Sequence, residues 1–67
     1  MKTVDIKCYN NSIEDMKAIN VSNGDVVTIL LGGVQSKKIL FIKEGAKYSK
    51  DMLTKNFIEK YKLIVED

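Results

Sequence analysis

Apolar positions concentrate in one stretch of this chain, Asp25 to Glu44, which reads DVVTILL, GGVQSK, KILFIKE. Val, Ile, Thr and Phe dominate the two flanking runs, and these residues fit a pleated, packed surface. The runs 25–31 and 38–44 are therefore read as paired antiparallel strands around a loop holding Gly32 and Gly33. Side chains alternate along a strand with period two. Val27, Ile29 and Leu31 then share one face with Ile39 and Phe41, while Val26, Thr28 and Leu30 share the other with Leu40 and Ile42. Both faces are apolar, whereas a half-solvated antiparallel sheet is apolar on one face only.

Weaker patterns flank this hairpin. Val4, Ile6 and Cys8 alternate with polar neighbours, so Thr3–Tyr9 reads as a half-buried strand with Cys8 on its apolar face. Asn11 or Ser12 then caps a short helical turn carrying Ile13, Met16 and Ile19; the competing reading is a hairpin turn at Asn10-Asn11. Asn23-Gly24 is a strong turn signal ahead of the central hairpin. Ser49 resembles a helix N-cap, and Leu53, Phe57 and Tyr61 recur at spacing four, so 49–61 reads as an amphipathic helix. The β-branched run ending at Val65 reads as a final strand. The expected fold is a small single α+β domain: an antiparallel sheet of three to four strands around the hairpin, a short N-terminal helical turn and the C-terminal helix. The alternative is a small barrel-like sheet closed by that helix.

Length tightens this picture. A chain of 67 residues buries only about 60% of the surface that its unfolded state exposes. Its core supplies about 3–5 kcal/mol without a staple. Cys8 is the sole cysteine and His is absent, so neither an intrachain disulfide nor a structural zinc site has its ligands. A tight core or self-association is left. No apolar run approaches the ~18 residues of a membrane span, and the opening MKTVDIK lacks a signal peptide's apolar segment. A cytoplasmic protein is expected.

Candidate chemistry is sparse. Without His, the usual general acid or base near neutral pH is missing, and no pair of carboxylates stands out, so no catalytic residue, metal or cofactor is expected. The Gly32-Gly33 loop fails the spacing of a phosphate loop and leads into a strand instead of a helix. What remains is binding. The expected function is a small non-enzymatic protein, an inhibitor, adaptor or subunit, acting through a protein–protein surface. Candidate contacts are the row Val26, Thr28, Leu30, Leu40 and Ile42 and the loop residues Gln35, Lys37 and Lys38, with a homodimer as one outcome. Lysine in place of Arg throughout, with many Ile and Asn, matches an AT-rich genome; a phage or mobile element of a low-GC bacterium, blocking a host factor, is one concrete version.

Charge distribution supplies the alternative. Residues 35–62 hold eight lysines against three acids, a net +5, while residues 1–34 carry a net −1. Lys37, Lys38, Lys43, Lys47, Lys50 and Lys55 are candidate phosphate contacts for a nucleic-acid-binding regulator. Tyr48 and Tyr61 are candidate stacking residues, although Tyr61 also suits a core-facing helix position. Point-charge lysines without Arg favour sequence-blind contacts over base reading.

Overall fold

The two central runs do pair, as strands Val26–Leu31 (β3) and Lys38–Lys43 (β4), antiparallel and in the register Thr28↔Ile42 and Ile29↔Phe41. The computed structural model describes residues 2–9 and 11–65. Around the hairpin stand Lys2–Val4 (β1), Lys17–Asn20 (β2), Lys50–Leu53 (β5) and Tyr61–Val65 (β6), with one helix, Thr54–Lys60 (α1), joining β5 directly to β6. All six strands form one antiparallel sheet in the order β1-β6-β2-β3-β4-β5. The expectation of three to four strands with two helices is thus overturned. So is a closed barrel, because the sheet ends at β1 on one side and β5 on the other.

Each difference has a local cause. The segment 49–61 divides because Lys50–Leu53 pairs with β4, Lys38 opposite Leu53 and Phe41 opposite Lys50. Cross-strand pairing there outweighs a helical spacing that rests on few residues. Seven residues of helix remain, with no side-chain cap. The N-terminal helical turn is a tight turn: the Met16 amide donates to the Ile13 carbonyl, and Asp15 has φ +69°. That left-handed conformation stops a right-handed helix. The chain then enters β2, between β3 and β6. The alternative hairpin turn involves Asn10, which lies outside the described residues. Thr3–Tyr9 is a strand only to Val4; Ile6–Cys8 coils into a 3₁₀ turn that buries Ile6 and leaves Cys8 exposed, so Cys8 is not on a buried face.

The sheet curls. In a flat sheet β5 and β6, four strand spacings apart, would lie about 19 Å from each other, yet a helix only about 10 Å long links them. The Phe41 ring on β4 reaches Tyr61 on β6 at a centroid distance of 5.8 Å, across the two strands between. The concave side holds the core: Ala18, Val27, Ile29, Ile39, Phe41, Tyr61 and Leu63 from the sheet, Phe57 from α1, Ile6 and Ile13 from the connections. Phe57 stacks on Tyr61 at 4.3 Å and 8° and packs tilted against Phe41 at 5.2 Å.

One expected core residue leaves this face. The register shifts between Ile29 and Leu31, so that Leu31, not Leu30, pairs with Leu40. A bulge adds one residue to a strand and reverses the alternation beyond it. Leu31 is accordingly 60% exposed and joins the outer side.

Candidate functional site

The convex side of the sheet carries the predicted contact row. Val26, Thr28, Leu40 and Ile42 are half-buried there, and Leu30 is 38% exposed. Cross-strand pairing extends the row: Ile19 sits opposite Val26, and Leu31 opposite Leu40. The half-buried apolar side chains that pack against the core are Val4, Tyr9, Met16, Met52, Ile58 and Val65, all from outside this row. The row therefore owes its partial burial to its own neighbours on the sheet surface.

Ion pairs frame the row. Lys17 Nζ meets Glu44 Oε1 at 2.9 Å, Lys38 Nζ lies 3.9 Å from Asp51 Oδ2, and Lys62 Nζ is 3.5 Å from Asp5 Oδ1. These three pairs match each cation with a carboxylate, and Glu14 adds a further carboxylate beside Leu31 and Leu40. Exposed pairs of this kind are each worth about 0–1 kcal/mol, so their main effect here is to limit the field around the apolar row.

The loop between β3 and β4 forms a second surface. Gln35 lines a cleft of about 570 Å³ between this loop and the segment around Ser12. Within it the Gly32 amide donates to Glu14 Oε2 at 3.2 Å, and the Gly33 amide to Ser36 Oγ at 3.0 Å. Lys37 does not join Gln35 there; with Lys55 it lines a neighbouring groove floored by Val34, Leu53 and Ile58. Lys38 turns to the convex side and Asp51.

The six lysines of the nucleic-acid alternative are not one patch. Lys37, Lys38 and Lys55 gather at the loop end of β4. Lys43 stands at its other end, about 17 Å away along the strand, and Lys50 lies opposite Phe41, two residues short of it; both line a third cavity, and Lys47 belongs to the loop beside it. This cavity, about 290 Å³, opens on the part of the concave side that α1 leaves uncovered, over Val27, Phe41, Met52 and Tyr61, with Tyr48 at its edge. Its lining comes from four strands and two loops, and no short-range pattern in the sequence brings those positions together. The structure also separates the two stacking candidates: Tyr61 is buried against Phe57, while Tyr48 is 82% exposed.

Among the described residues, no three Cys, Asp or Glu side chains gather where a metal ion would fit. No helix among them is long and apolar enough to cross a membrane. Compared with known proteins, the chain matches no family model, no curated protein and no solved structure.

Proposed function

We propose that this chain is a small non-enzymatic binding protein that works as a subunit, pairing through the convex side of its sheet with another protein chain, in the first place a second copy of itself. The observation that carries this reading is the row Ile19, Val26, Ile42, Leu40, Leu30 and Leu31, continuous over β2, β3 and β4 and not used by the core. Monomeric soluble proteins seldom expose contiguous apolar patches of large size. A two-fold interface brings one surface against itself, so a net charge on it would repel; the three internal ion pairs around this row limit that repulsion. Pairing also adds apolar burial to a core limited by chain length. The cytoplasm is the proposed setting, since the exposed Cys8 thiol suits a reducing compartment.

Sedimentation equilibrium at micromolar concentration tests this. The wild type is expected as a dimer. Leu31→Asp, at a position already 60% exposed, is expected as a folded monomer with an unchanged far-UV spectrum. A wild-type monomer, or a Leu31→Asp protein that dimerises as tightly as the wild type, would sink the reading.

A further inference from the structure

We propose that the cavity between β3, β4, β5 and β6 is a base-binding site for single-stranded nucleic acid, with one base seated against Tyr48 and the flanking phosphates on Lys47 and Lys50. The cavity's size is the first argument. About 290 Å³ falls just below the range of small-ligand sites, which begins at about 300 Å³, and admits one planar ring system. Its floor is apolar and aromatic, made by the inner-face residues Phe41, Met52 and Tyr61. Tyr61 is stacked on Phe57, so the ring free to take a base is Tyr48, 82% exposed at the edge.

Charge is the second argument. Lys43 is held by Asp25 at 3.2 Å, which cancels the one carboxylate in the lining. Among the described residues no ion pair engages Lys47 or Lys50, so the net charge at this mouth is positive. An aromatic platform beside lysines that follow a backbone is the arrangement used for sequence-tolerant binding of single strands. Duplex DNA keeps its bases stacked inside and has none to offer this cavity. The site lies on the concave side, so it stands or falls independently of pairing through the convex side.

Fluorescence anisotropy with a labelled oligothymidine, at low salt and then over a salt series, provides the test. The oligomer is expected to bind at least tenfold more tightly than a duplex of equal length. Affinity should fall with salt at a log–log slope of about −1.4, from the two phosphate contacts at about 0.7 each. Tyr48→Ala should weaken binding about tenfold or more and Lys50→Gln severalfold, while Lys55→Gln, at the far end of β4, changes it little. All three substituted positions are exposed, and thermal melts check that the variants fold. Competition by a mononucleotide would support the base pocket. The proposal is overturned by no binding at low salt, by equal affinity for the duplex, by equal affinity for an acidic tyrosine-containing peptide, or by a Tyr48→Ala protein that binds like the wild type.

Discussion

Gly32 shows how much a single position can constrain this chain. Its φ is +111°, and a Cβ there would stand 2.7 Å from the Lys38 carbonyl oxygen, a backbone atom that cannot move without breaking the hairpin. Gly24 has φ +80° with open space around it. Gly32→Ala should therefore destabilise by about 1–3 kcal/mol, and Gly24→Ala by distinctly less, as read from urea midpoints at constant m. Thr54 presents the reverse case. Its hydroxyl is buried without a hydrogen-bond partner, and the residue is 5% exposed. Thr54→Val keeps the shape and removes the unpaired oxygen, so it should stabilise by about 1 kcal/mol in the same assay. Cys8 lies at the surface of a 3₁₀ turn; a thiol reagent should label it in the native state about as fast as in the denatured one. Slow native labelling would contradict its placement.

At the scale of elements, α1 carries more than its seven residues would lead one to expect, because Phe57 is fully buried and touches both Phe41 and Tyr61. Phe57→Ala should cost about 3–5 kcal/mol, comparable with the whole stability of so short a chain. Circular dichroism without denaturant is expected to show a largely unfolded variant. The central hairpin was legible because alternation and β-branched residues agree along both runs, and the buried set Val27, Ile29, Ile39 and Phe41 follows from that alternation alone. Leu31 was not legible, since one extra residue in β3 reverses the pattern and leaves no local mark. Strand β5 was hidden for a different reason. Lys50–Leu53 is a poor strand by composition, and only the open edge of β4 makes it one. The convex contact row could be read from the apolar character of both hairpin faces. The concave cavity could not, because Tyr48, Met52 and Tyr61 meet Phe41 only after the sheet has curled.

Over the whole molecule the charges do little to hold the fold. The four ion pairs given above are formed by side chains between 38% and 60% exposed, where water and salt screen them. Raising the ionic strength to about 1 M, where the Debye length is about 3 Å, should leave the urea midpoint of unfolding nearly unchanged. A marked loss would mean that the pairs matter more than their exposure allows. The strand order has a consequence of another kind, for a chain that leaves the ribosome one residue at a time. Strands β2 to β5 follow one another as neighbours and can pair as each emerges. Strand β1 cannot: its one partner is β6, and Val4 waits for Leu63, 59 positions later in synthesis. The first of the six strands to be made is thus among the last to be paired, and β6 must slot between it and β2 in the step that also brings Tyr61 onto Phe57. Until then β2 offers a bare edge to whatever else is nascent nearby, and the vulnerable interval in this protein's life is the delay before its sixth strand arrives.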